Sequence, residues 1–80
     1  MIRLLLVEPE PHLRRTLSTS LRARGCQLAA AASVEEALGR VAGEAPDGVV
    51  LDLGEPGRGA PESVQRFRGA TAAPIILLSA

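Results

Sequence analysis

Apolar residues in this chain fall into short unbroken runs, separated by stretches where they recur every third or fourth position. Ile2 to Val7 is the first run, broken only by Arg3, and it reads as a buried strand ended by Glu8-Pro9-Glu10-Pro11. Leu13, Leu17 and Leu21 then recur every fourth residue and form one apolar stripe of a helix beginning near Pro11. Proline suits the first helical turn because its missing N–H costs nothing there. Arg14, Arg15, Arg22 and Arg24 lie mostly off the stripe, and Gly25 is placed to end the helix in the left-handed conformation. Cys26 to Ala31 reads as a second, weaker strand, since alanine is a poor strand former. Ser33-Val34-Glu35-Glu36 is a capping box, and Ala37, Leu38, Val41 and Ala42 give the apolar face of the helix that it opens. Gly43 to Gly48 form a turn in which Pro46 forbids further helix.

The third strand, Val49 to Asp52, runs apolar residues straight into one carboxylate. A Gly- and Pro-rich loop, Leu53 to Gly59, follows it. A thin helix from about Pro61 to Arg68 is anchored by Val64 and Phe67, and Pro74 to Leu78 is a fourth strand. The order β-α-β-α-β-α-β predicts an α/β doubly wound parallel sheet with right-handed crossovers and helices on both faces. Ligands of such sheets bind beyond the carboxyl ends of the strands, which singles out Asp52; an aspartate that merely opens a turn is the plainer reading.

Composition narrows the choices. Nine basic residues balance nine acidic ones, so overall charge does not mark a nucleic-acid-binding chain. All nine bases are arginine, and the absence of lysine removes a P-loop or Schiff-base lysine from these residues. Phe67 is the single aromatic residue, which argues against a base-stacking surface. One cysteine excludes an intrachain disulfide and a cysteine metal cage. No apolar run nears the ~20 residues of a membrane span, and the first run is too short for a signal peptide. No membrane contact and a cytoplasmic location are expected.

Leu5-Leu6-Val7-Glu8 with Glu10, Leu51-Asp52-Leu53-Gly54 with Pro56, and Pro74-Ile75-Ile76-Leu77-Leu78-Ser79-Ala80 resemble the receiver domain of bacterial two-component response regulators. The wording is nearest the winged-helix, potassium-responsive Kdp type. The resemblance implies the flavodoxin-like strand order 2-1-3-4-5, one of the common orders of doubly wound parallel sheets. It implies a regulatory domain rather than an enzyme, one that accepts a phosphoryl group on Asp52 from a sensor histidine kinase to control transcription. It further implies Mg²⁺ held by Glu8, Asp52 and the backbone carbonyl of Gly54, with Ser79 as the switch hydroxyl. Such domains can dimerise in the full-length protein, and this segment is not expected to contact nucleic acid.

The chain departs from the pattern in three places. The family has two adjacent acids after the first strand, and here Glu8 is followed by Pro9, so Mg²⁺ binding is expected to be weakened or lost. Glu10 comes one residue late, and Glu55 stands where the family has Leu or Met; both are further candidate ligands. The alternative is a degenerate receiver that acts only in protein–protein contact. The third departure is the ending: residues 1–80 are expected to be a partial receiver, lacking the fifth strand with its lysine, the last helices and any output domain.

Other signals are weaker. His12 faintly echoes a kinase phosphohistidine box but opens a helix directly after a strand, which suits a solvent-facing residue. Cys26 reads as a small apolar residue and the arginines of the first helix as a solvated face. A haloacid-dehalogenase-type phosphatase needs an aspartate where Gly54 stands. A dinucleotide fold needs glycines where this chain has Glu8-Pro9-Glu10-Pro11.

Overall fold

The structure, a computed structural model, describes residues 1–53 and 60–78 of the 80-residue chain. Its elements are β1 (Arg3–Val7), α1 (Pro11–Ala23), β2 (Gln27–Ala31), α2 (Val34–Glu44), β3 (Gly48–Asp52), α3 (Ala60–Ala70) and β4 (Ile75–Leu78). The predicted alternation is the observed one, with most ends shifted by one or two residues. Two ends differ for a local reason. α2 continues past Gly43 to Glu44 and stops at Ala45, whose φ of 45° is left-handed. α3 runs on through Gly69 to Ala70, so it is longer than its two apolar anchors suggest.

The sheet is wholly parallel, in the order β2-β1-β3-β4. Its register pairs Leu5 with Ala29 and Val49, and Val49 with Ile75. Side chains alternate along a strand, so Leu5, Val7, Val49 and Leu51 share one face. There they pack with Ala37 and Val41 of α2 and Phe67 of α3 to form the core. Leu6 and Val50 point to the other face and are also buried. That face is packed by α1, which lies against β1 and β2.

Coverage of the α1 side is uneven, and it corrects the sequence reading. The stripe Leu13-Leu17-Leu21 is not uniformly inward: Leu17 and Leu21 are half-buried, whereas Leu13 is 41% exposed. Ser18 is buried in their midst and donates to the carbonyl of Arg14 at 2.7 Å, which satisfies its hydroxyl within the helix. In β4, Ile76 and Leu78 remain 48% and 40% exposed on the same side of the sheet. On α2, Ala42 is exposed, so Ala37, Leu38 and Val41 carry that helix's inner face.

The starts of α1 and α2 are capped by side chains. Ser33 Oγ accepts from the Glu36 amide at 3.1 Å, as a capping box requires. The return bond differs from the usual box, because Glu36 accepts from the Ala32 amide rather than that of Ser33. Gly25, at φ 92°, follows α1 in the left-handed region predicted for it.

The outer edge of β2 is closed by arginines from both sides. Gln27 N–H donates to Ile2 and Ala31 accepts from Glu8, so the odd-numbered residues of β2 face β1 and the carbonyls of Leu28 and Ala30 point outward. Arg22 of α1 donates to the first at 3.1 Å, and Arg40 of α2 to the second at 2.8 Å. An unpaired edge is a template for association, and charged side chains laid along it discourage that. Replacing both Arg22 and Arg40 with alanine should cost about 1 kcal/mol of stability. It should also make sedimentation depend on protein concentration; an unchanged monomer would count against the clamp.

Candidate functional site

The parallel register brings the candidate residues together. Val7 of β1 pairs with Leu51 of β3, so the next residues, Glu8 and Asp52, leave the two central strands side by side at their carboxyl ends. Asp52 is the last residue of β3, where it pairs with Leu78 of β4, and it is half-buried. Glu8 is deeper, at 2% exposure, although its carboxylate would prefer water.

Two backbone bonds hold Glu8 there. Its N–H donates to the Ala31 carbonyl at 3.0 Å, extending the β1–β2 ladder by one residue. Its Oε2 accepts from the Glu10 amide at 2.8 Å. Its Oε1 is buried and accepts no hydrogen bond. Burial pushes the Glu8 carboxyl above the usual range; the bond from the Glu10 amide opposes this, and the neighbouring Asp52 adds to it.

Pro9 follows, exposed, and Glu10 then turns the chain into α1. Glu10 Oε1 accepts from the His12 amide at 3.0 Å and Oε2 from the Leu13 amide at 2.6 Å. Glu10 is thus the N-cap of α1, and the two amides hold its carboxyl below the usual range. An acid immediately before a helix-opening proline is a legible sign of this cap. Arg14 grips the same loop from one turn into the helix, its Nη1 donating to the carbonyl of Glu8 at 3.0 Å and to that of Pro9 at 3.4 Å. Pattern reading treats Arg14 as part of a solvated face. Its half-burial and its loop contacts are set by the third dimension.

Glu8 and Asp52 are therefore adjacent, and Glu10 is occupied by the start of its own helix. Gly54, Glu55 and Ser79 lie outside the described residues. Among the described residues, no three of His, Cys, Asp and Glu are grouped so as to hold a metal ion. His12 is exposed at the helix start, and Cys26 is half-buried with a free thiol. Chemically, the site offers a solvent-accessible carboxylate on a rigid strand end, backed by a buried one. That pair suits attack on an electrophile or the holding of a cation.

A family model described as "Response regulator receiver domain" matches residues 4–80. Among curated proteins, the transcriptional regulatory protein KdpE of Mycobacterium tuberculosis is 38% identical over 80 residues; the match takes in all of this chain and 35% of that protein. The KDP operon regulator KdpE of Escherichia coli is 36% identical, again over the whole chain and 36% of the relative. The chain thus spans about a third of the length of these relatives. Among solved structures, a complex of histidine kinase ThkA with response regulator TrrA is matched with a TM-score of 0.84 at 36% identity, covering 100% of this chain and 70% of that one. TrrA of Thermotoga maritima, solved with Mg²⁺ and BeF, matches with a TM-score of 0.84 at 35% identity, covering 99% and 70%. Among the described residues, no helix is long and apolar enough to cross a membrane.

Proposed function

Because the chain belongs to the response regulator receiver domain family, we propose that it is the phosphoacceptor module of a transcriptional regulator, with Asp52 as the acceptor. The observation that carries this reading is the placement of Asp52. It ends the strand β3, sits beside the buried Glu8, and remains partly open to solvent.

The donor is the phosphohistidine of a cytoplasmic sensor kinase. An Asp52 carboxylate oxygen attacks phosphorus, the N–P bond of the phosphohistidine breaks, and the released imidazole takes up a proton from water. Little covalent work falls to the protein in such a transfer; it must position the acceptor and manage charge. The β3 backbone, paired on both sides, fixes Asp52. Glu8 and its Arg14-held loop form the floor beside it. Ser79, directly after β4 in the sequence, is the hydroxyl assigned to the phosphoryl group.

Receiver domains typically bind Mg²⁺, which neutralises charge on the phosphoryl group when bound. The described residues do not fit the family's usual cage, because proline stands at position 9 where the second adjacent acid belongs. A contact-only receiver is not favoured: Asp52 is retained at the rim of the sheet, and the family match spans residues 4–80.

The test is acetyl-phosphate labelling at saturating Mg²⁺, read by intact mass, with Asp52→Asn as the control. One phosphoryl increment is expected, absent in the control. An increment that persists in Asp52→Asn would move the acceptor elsewhere, and no increment at any Mg²⁺ concentration would overturn phosphoacceptance.

A further inference from the structure

We infer that the divalent-cation site of this chain is a reduced one, built among the described residues on the carboxylates of Glu8 and Asp52, and that Glu10 does not replace the acid missing at position 9. This rests on the receiver reading above and says what that site has become in this sequence.

The geometry leads here from three directions. Glu8 is almost wholly buried, and one of its oxygens, Oε2, is committed to the Glu10 amide. The other, Oε1, is buried without a hydrogen-bond donor, next to a second carboxylate. A buried carboxylate oxygen left without a partner is costly, and a cation shared with Asp52 is the partner its chemistry suits. Pro9 supplies neither a side-chain oxygen nor an N–H.

Glu10 is the residue nearest in sequence that could compensate, and its two oxygens already accept from the His12 and Leu13 amides. Taking a metal would uncap α1. Arg14 adds a second restraint, since its bonds to the carbonyls of Glu8 and Pro9 tie the intervening peptide to the helix. The loop therefore cannot swing Glu10 inward without giving up contacts at both ends. Mg²⁺ commonly makes do with one or two carboxylates, completed by water and phosphate oxygens, so the reduced site binds but binds weakly.

The experiment titrates Mg²⁺ alone into the full chain by calorimetry, and Mn²⁺ alone by water-proton relaxation. The variants are Pro9→Asp, Pro9→Ala, Glu10→Gln and Glu8→Gln, each compared at equal folded fraction by circular dichroism. Pro9→Asp should tighten binding by about 10- to 100-fold, the range that changes around metal sites typically span. Pro9→Ala and Glu10→Gln should leave affinity within about twofold, and Glu8→Gln should weaken it. Equal affinity in the natural chain and Pro9→Asp would overturn the inference. So would tightening by Pro9→Ala, which would blame ring rigidity rather than a lost ligand, or weakening by Glu10→Gln. Acetyl-phosphate labelling separates this from the functional reading. Labelled Asp52 with no effect of Pro9→Asp on affinity sinks only the reduced site, whereas tightened binding with no labelling sinks only phosphoacceptance.

Discussion

Phe67→Ala should remove a large fraction of the stability of the folded chain, about 3–5 kcal/mol. Phe67 is fully buried, the largest side chain in the core, and it joins α3 to Val49 and Leu51 on the inner face of the sheet. Truncating a buried phenylalanine removes transfer free energy and leaves a cavity, together costing about 3–5 kcal/mol. Globular chains hold only about 0.05–0.15 kcal/mol per residue, so a chain of 80 residues has about 4–12 kcal/mol to lose from. No second aromatic residue exists to fill the space. Urea unfolding followed by circular dichroism measures this directly. A midpoint within experimental error of the natural chain would mean that α3 does not hold this side of the core together.

Glu8→Gln should work in the opposite direction, raising stability by about 1–2 kcal/mol at neutral pH in the presence of a chelator. The buried carboxyl of Glu8 titrates above its ordinary value, first because burial disfavours the charged form and further because Asp52 lies beside it. Its proton is therefore held more tightly in the folded chain than in the unfolded one. The favourable contribution is complete below the unfolded value of 4.5 and is lost as pH rises through the higher folded value. Glutamine removes the charge, keeps the shape, and can donate an amide hydrogen to Asp52. The gain should shrink as pH is lowered toward 4.5, where the natural side chain is neutral as well. Thermal melts of both proteins from neutral pH downward would show it. A pH-independent difference, or a loss of stability at neutral pH, would mean that the Glu8 charge is better compensated than its surroundings indicate.

These two residues differ in how far the sequence reveals them. Phe67 stands out as the lone aromatic in a weakly apolar helix, so its role in the core is legible from pattern alone. Glu8 is legible as a candidate through its place after an apolar run and through the receiver resemblance. Its burial and its unpartnered oxygen depend on how the neighbouring loop closes. The same holds for Glu10, which pattern leaves as a spare ligand and the fold turns into the cap of α1. It holds for Arg14 and Arg22 too, which look like solvated charges until their helix brings them against the carbonyls of Glu8 and Leu28.

The sequence by itself determined the alternation of strands and helices, because periods of two and of about 3.6 are local properties of a chain. It determined the position of Asp52 at a strand end, because an apolar run that meets a carboxylate and then glycine and proline cannot continue as a buried strand. It also determined the absence of an acid at position 9. Only the tertiary structure decided that Glu8 lies beside Asp52, since that follows from the register of β1 against β3, residues more than forty positions apart. Only it decided which carboxylate is buried, which one caps a helix and which faces solvent. Those states depend on the water and hydrogen-bond donors around each group once the sheet and its helices have packed, and single-residue chemistry is blind to them.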